Sequence, residues 1–590
     1  MPRDFVHGLL GSPPVLARRR RGAYDGGSGR QAMTVRSASI PVPLRLLPLL
    51  LAGFLAGCGS EPPPPAAAEP GTHADLVALF GEWREFETPE FREGIPDYSA
   101  AAMARQHAEL PAWRARLDAL APESWPVAEQ IDWHLMRAEM NGLDFDHRVR
   151  RPWARDPGFY VQIFEAQSDV PAHEGPVMHG FIDLWTYDYP LSEADAAELA
   201  ERIGTVSGVL AQAKGNLAAS NARDLWLGGF RYFRNQAADL IAFGERVGGT
   251  SAALDAAVEA AHAATVDFRE FLEAEADSKT GPSGIGADNY TWAMQHVHLL
   301  PWSWEQIVTI MERELARSHS SMRLEENRNR ALPELERIAS AEEYDRRLNE
   351  SVDRYMDFLV REEVQSIEDY MDPALRAVNG SFQPLENPDD LRNFFSEVNY
   401  RDPDAFRPHM HHWIELAAMR DAPHLSPIRA VPSLFNIYAF RSEGLATGVE
   451  EMFMHLGLLE GSPRSRELTW IMLAQRAARA ISGLHLHGGD FDMEEAVAYA
   501  MKWTPRGWLT EGALVRGEQS LYLRQPGYGT SYITGKIQIE ELLAEVAVLE
   551  GEDFTVKDFF DRFYGAGVIP ITLVRWEMTG EKDPVLDLRP

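Results

Sequence analysis

The chain has a single cysteine, Cys58, in 590 residues. Disulfides and thiolate-ligated zinc sites are therefore excluded. It is also short of cations, with 57 Lys and Arg against 89 Asp and Glu and a formal net charge of −32. Without residues 1–57, which hold eight arginines and two aspartates, the excess grows to −38. So acidic a body argues against nucleic acid and against anionic lipid surfaces as partners. Long apolar runs are scarce: Leu46 to Leu55 is too short to span a bilayer as a permanent helix. A GK[ST] phosphate loop is missing, as are internal repeats and strong strand signals.

What is present begins with an export signal. Residues 1–32 are rich in Arg and Gly with no core-forming pattern, and read as a misassigned start. Met33 opens a second beginning. Basic Arg36 and Arg45 precede the apolar run, and small Ala56 and Gly57 lead into Cys58. Residues 33–57 thus read as a lipoprotein signal peptide, with Cys58 as the lipid attachment site. Residues 58–72 form a Pro-rich, semi-rigid tether. Gly59 rather than Asp follows the cysteine, so by the convention of bacterial sorting the expected location is the outer membrane, facing the periplasm. The membrane contact is expected through the lipid alone. Residues 73–590 are expected to fold as a single large helical domain.

Periodicity supports a mainly α fold with at most a small sheet. In 304–318, Ile307, Ile310, Met311 and Leu315 share a face. Ile131, Leu135 and Ala138 do the same in 125–143, as do Leu468, Ile471, Met472 and Ala478 in 466–484. The Ala/Leu-rich stretch 192–215 opens with Ser192 as a cap, and Asp490 or Asp492 caps a later helix. The best strand signal is Tyr532 to Ile539. The pair His296 and His298 would share a face of a strand, as a metal pair or in a packed surface loop.

The stretch 408–451, PHMHHWIELAAMRDAPHLSPIRAVPSLFNIYAFRSEGLATGVEE, concentrates the chemistry. If 409–420 is helical, His411 and Glu415 lie one turn apart on one face. Both residue types bind divalent metals. Glu443 follows after 28 residues on a second helical run, and an antiparallel return brings it toward that face. The alternative is an ordinary polar face, with Glu443 favoured by the dipole at a helix N-terminus. His412 is a candidate base or a substrate contact. His409, His424 and His455 lie nearby. Downstream, the stretch 521–539 sets Arg524, Tyr528 and Tyr532 around Gly527, Gly529 and Gly535. It is either a turn that donates hydrogen bonds to an oxyanion or a structural turn.

The ordered set of motifs resembles the bacterial family called domain of unknown function 885. Its members carry H-E-x-x-P-G-H, then E-G-W-A-x-Y-x-E, then R-A-x-R-x-x-x-D-x-G-L-H, then P-G-Q-x-x-S-Y-x-x-G-K, then G-x-x-P-L. Glu443, Gly444, Ala446 and Glu450 match the second motif. Arg476, Ala477, Arg479, Gly483, Leu484 and His485 match the third. Pro526, Gly527, Ser531, Tyr532, Gly535 and Lys536 match the fourth, and Gly567 and Pro570 the last. The family in turn resembles helical zinc peptidases of the thimet oligopeptidase type. That resemblance implies a two-lobed helical body with a deep central cleft and one divalent metal at its floor. Zinc is the first expectation, with manganese or iron as alternatives. It implies Glu443 as a ligand, with His485 and Tyr532 orienting substrate and stabilising an oxyanion. The first motif is the departure. Placed on HHWIELA, it keeps His411, replaces the catalytic Glu by His412, and leaves Glu415 or no residue for the second ligand.

The resulting expectation is a lipid-anchored periplasmic metallohydrolase acting on a small peptide-like substrate. His411, Glu415 and Glu443 would be the metal ligands. His412, Tyr532 and His485 would be the catalytic groups, and Arg524 and Tyr528 the substrate contacts. The alternative is an inactive lipoprotein that binds a peptide or envelope component in the same cleft.

Overall fold

The computed structural model describes residues 71–589. The expected start, signal peptide, Cys58 and nearly all of the tether lie outside the described residues. The tether's last two residues already belong to the fold. The Gly71 amide donates to the Leu120 carbonyl, and Thr72 closes a reciprocal capping box with Asp75 at the head of helix His73–Glu87.

The architecture is mainly α. The periodic segments become helices Val127–Phe145, Trp304–Asn329 and Ser465–Gly488. The 192–215 stretch becomes two helices, Glu193–Gly204 and Val206–Asn216, broken at Thr205. Ser192 and Asp492 cap as expected, each accepting the amide three residues on. Strand is confined to two minimal pairs: Phe91–Arg92 with Ile95–Pro96, antiparallel, and Ile163–Phe164 with Ile182–Asp183, parallel. The second pair pins both ends of loop 165–181. No helix among the described residues is long and apolar enough to cross a membrane.

Two large apolar clusters form the core. One gathers residues between Tyr98 and Leu272; the other joins Leu76–Phe145 to the C-terminal half. Helices Val127–Phe145, Ala439–His455 and Ser465–Gly488 are buried along almost their whole length. Polar side chains on them are thus forced to find partners inside.

The expected strand at Tyr532–Ile539 is corrected. These residues lie inside helix Tyr528–Glu550. Their β-branched and aromatic content favours a strand locally, but tertiary packing decides. Gly527, at φ 93°, supplies the left-handed turn that starts the helix. Gly535 is a point of backbone contact with helix Ala439–His455. A Cβ there would stand 2.0 Å from the Phe440 carbonyl oxygen, and one on Gly444 would stand 2.5 Å from the Gly535 Cα. No side chain fits between the two helices at that crossing.

His296 and His298 do not form a strand pair. His296 ends helix Ala287–His296 beside the Trp292 ring, and His298 packs on Phe440. Burial pushes His296 down to about 4 and His298 to about 3, so both stay neutral.

Candidate metal and acid–base centre

Helix His411–Asp421 and helix Ala439–His455 meet side by side, as the sequence suggests. Adjacent residues on a helix point about 100° apart, so His411 and His412 enter different surroundings. His411 and Glu415 share a face, but that face meets Arg441. Glu415 pairs with the Arg441 guanidinium at 2.5 Å. His411 Nδ1 lies 3.2 Å from the Tyr355 hydroxyl, and its ring stacks on Tyr564. Burial and Arg441 push His411 down to about 3. Arg441 and Glu443 are two residues apart and point to nearly opposite sides of their helix. The expected trio of His411, Glu415 and Glu443 therefore does not converge.

The converging set is shifted by one register. Among the described residues, one group of potential ligands stands out: Asp169, His409 and His412 offer ligand atoms all within 4.8 Å of one another. His409 sits in the short turn Arg407–Met410, which Pro408 favours, and His412 in the first turn of the helix that follows. Their rings meet edge to face at 5.1 Å. Asp169 comes from loop 165–181.

Carboxylates surround the two imidazoles. His412 Nε2 lies 3.3 Å from Glu443 Oε2, and its Nδ1 lies 3.1 Å from the Ser442 hydroxyl. Burial would lower His412, but Glu443, with Asp169 and Glu415, raises it to about 9. Burial likewise opposes ionisation of Glu443, and His412 overrides it, holding this carboxyl below its ordinary range. His409 Nδ1 lies 3.2 Å from Glu450 Oε1. Arg476 donates to both Glu450 oxygens at 2.6 and 2.8 Å, with both side chains fully buried. This fork fixes the carboxylate that orients His409.

Tyr528 links a second acid to the first. Its hydroxyl oxygen is 2.5 Å from both Glu443 Oε1 and Glu174 Oε1. One O–H has one proton to give. Burial, together with Asp169 and Glu443, pushes Glu174 up to about 8, so at neutral pH Glu174 donates to Tyr528 and Tyr528 donates to Glu443. Tyr532 packs edge-on against Tyr528 at 5.7 Å, with Arg476 and Arg479 over its ring at 5.7 and 5.5 Å. Burial and Glu443 raise both phenols well above their usual value.

Two expected site residues are engaged by partners outside the cluster. His485 closes the end of helix Ser465–Gly488, bonded to Asp490 at 2.9 Å and packed on Phe491. Arg524 pairs with Asp156 at 2.7 Å and covers the Tyr232 ring. Sequence reasoning missed Asp169 and Glu174, whose loop has no periodicity. The density of histidines at 409–424 was the available signal for His409.

The acid–base chain has a consequence for stability. Relative to the unfolded chain, Glu174 retains its proton from pH 4.5 up to about 8, so folding is progressively disfavoured as pH rises through that window. The His412 contribution is full below about pH 6.5 and is lost as pH rises through about 9. Glu174→Gln removes the first effect. Thermal melts of this variant are expected to vary less between pH 5 and 8 than those of the parent, and to lie higher at pH 8. Parallel curves would show that Glu174 titrates normally.

Comparison with known proteins agrees with this fold. A family model described as "Bacterial protein of unknown function (DUF885)" matches residues 85–382 and 411–578. A solved structure from Shewanella oneidensis, titled a "putative lipoprotein of unknown function", superposes with a TM-score of 0.63 at 16% identity. The match covers 86% of this chain and 100% of that one. A "putative lipoprotein" from Colwellia psychrerythraea gives 0.62 at 15% identity, covering 88% and 99%. No curated protein matches. The family match spans well over half of the chain and takes in His412, Glu443 and Tyr528, and the chain belongs to the bacterial family of unknown function DUF885.

Proposed function

We propose that this protein is an exported, lipid-anchored metallohydrolase acting on amide bonds of small peptide-like substrates. The observation that carries the reading is the convergence of Asp169, His409 and His412 with the Glu443–Tyr528–Glu174 chain in one polar centre, in which the histidines, Glu443 and Tyr528 are buried and Asp169 and Glu174 half-buried. The donor set fits a divalent ion. Three ligand atoms lie within 4.8 Å of one another, and two imidazoles with a carboxylate suit zinc, or manganese or iron as carboxylate share grows. Asp169, His409 and His412 would hold the ion, which when bound supplies carbonyl polarisation and a more acidic water.

The chain's own groups do the rest. Glu450, clamped by Arg476, keeps the His409 ring in place. Glu443 holds the His412 ring and accepts from Tyr528. Glu174 holds a proton at its carboxyl near neutral pH and is the group placed to release it toward a leaving amine. Cys58 would carry the lipid, in keeping with the two solved relatives described as lipoproteins, and the outer membrane facing the periplasm is the proposed location.

Because His412 is protonated up to about pH 9 without an ion, metal must displace that proton, and uptake is expected to strengthen with rising pH. Elemental analysis tests the assignment. About one ion per chain is expected in the parent and in Glu415→Ala, and none in His409→Ala or His412→Ala. Peptide cleavage is expected to vanish with chelator and in the same two histidine variants. One observation favours a second reading, a non-catalytic binder: His412 and Glu443 already satisfy each other as an ion pair. Metal-free protein after reloading, with no cleavage of a peptide library, would establish that reading instead.

A further inference from the structure

Away from this centre, a groove of about 570 Å³ is lined by four arginines, Arg330, Arg401, Arg464 and Arg506, against two glutamates, Glu326 and Glu334, with Leu335 and the buried Trp508. That volume falls in the range of small-molecule sites. The concentration of arginine runs against a chain with 89 acidic and 57 basic residues.

The carboxylates around the groove are saturated by their present partners. Buried Glu467 accepts from Asn329, Arg464 and Arg506. Glu397 accepts from Arg337 and from the Arg392 amide, and pairs with Arg401. Glu326 pairs with Arg506 and Arg323, and the largely exposed Glu334 with Arg464. Five guanidinium groups share these four carboxylates, and Arg330 adds a sixth, leaving positive charge in excess.

The excess has a location. Arg330 donates to the Asn327 carbonyl and has no carboxylate partner among the described residues. Arg401 Nε is buried with no hydrogen-bond partner. Arg506 sits at φ 58°, ψ 9°, a left-handed conformation unfavourable for a residue other than glycine or asparagine. Such strain persists where surrounding contacts impose it and is concentrated at binding sites. Here it presents the guanidinium to the groove, between Glu326, Glu467 and the Trp508 ring.

We propose that this groove is a second binding site, for a small ligand bearing two or more negative charges on carboxylate or phosphoryl groups. Planar guanidinium forks match both group types, and several forks on one wall favour multivalent over monovalent anions. The proposal is independent of the metal centre.

Calorimetric titration with pyrophosphate and with citrate tests it and separates phosphoryl from carboxylate preference. One of the two is expected to bind at about 50 mM salt and to weaken as salt screens the groove. Arg330→Glu, a change at an exposed residue, is expected to weaken binding at least ~10-fold while leaving the thermal midpoint unchanged. His412→Ala is expected to bind as the parent does, which separates this site from the metal centre. Absence of binding by both anions, equal binding in Arg330→Glu, or loss of binding in His412→Ala would overturn the proposal.

Discussion

Gly535→Ala is expected to abolish the native fold rather than loosen it. The added methyl carbon would lie 2.0 Å from the Phe440 carbonyl oxygen and 2.8 Å from the Gly444 Cα. Both neighbours are backbone, so no rotamer change relieves the clash; the helices themselves must part. They are the most extensively packed helix pair among the described residues, and Glu443 and Tyr528 face each other across it. The expected cost is ~4 kcal/mol or more, at the extreme of single substitutions. Soluble yield and far-ultraviolet dichroism during a urea titration measure it. Gly215→Ala is the control. Gly215 lies within helix Val206–Asn216 with nothing in the path of a Cβ, and alanine there should stabilise by about 0.5–1 kcal/mol. Equal midpoints for Gly535→Ala and the parent would mean that the helices do not touch as described.

The second large effect lies in the ion pair behind His409. Arg476→Leu leaves the buried Glu450 carboxylate with only the His409 ring beside it, and breaking such a pair costs about 3–5 kcal/mol. Replacing both members by leucine removes the orphaned charge, so Arg476→Leu with Glu450→Leu should recover most of that stability. Metal binding at the proposed centre should not recover with it, because the carboxylate that orients His409 is gone. A double substitution as unstable as the single one would place the energy in shape rather than charge. Recovery of metal in the double variant would remove Glu450 from the centre.

Much of the fold is legible in the sequence because helices announce themselves locally. Ser192 and Asp492 cap where their side chains predict, and the spacing of Ile131, Leu135 and Ala138 marks a helix that proves to be buried. The association of Glu443 with the 411–421 helix is also legible, from two helical runs joined by a short return. Which histidine it meets is not. His411 and His412 differ by one position, and the choice depends on Arg441 claiming Glu415 from the neighbouring helix, a tertiary fact with no local trace. Tyr532–Ile539 misleads for the same reason: its composition suits a strand, and only the contact with Gly444 and Phe440 fixes it as helix. Asp169 and Glu174 are invisible because an irregular loop carries no periodicity. His485 carries a motif position, yet its imidazole is spent on Asp490 at a helix end.

Loop 165–181 supplies two of the acidic groups, while the histidines, Glu443 and Tyr528 stand on helices. The loop is tied down near its middle by the Gly175 amide, which donates to Gln525 Oε1 at 2.7 Å, and by Glu174 against Tyr528. The groups that complete the proposed centre are thus also the fastenings of the loop. In the proposed hydrolase a substrate would first unfasten Glu174 from Tyr528, separating the acid from its relay, and the bond-breaking step would wait for the loop's return. Turnover in such a design follows the rate of loop excursion and should slow in viscous solvent, even when the bond-breaking step is fast.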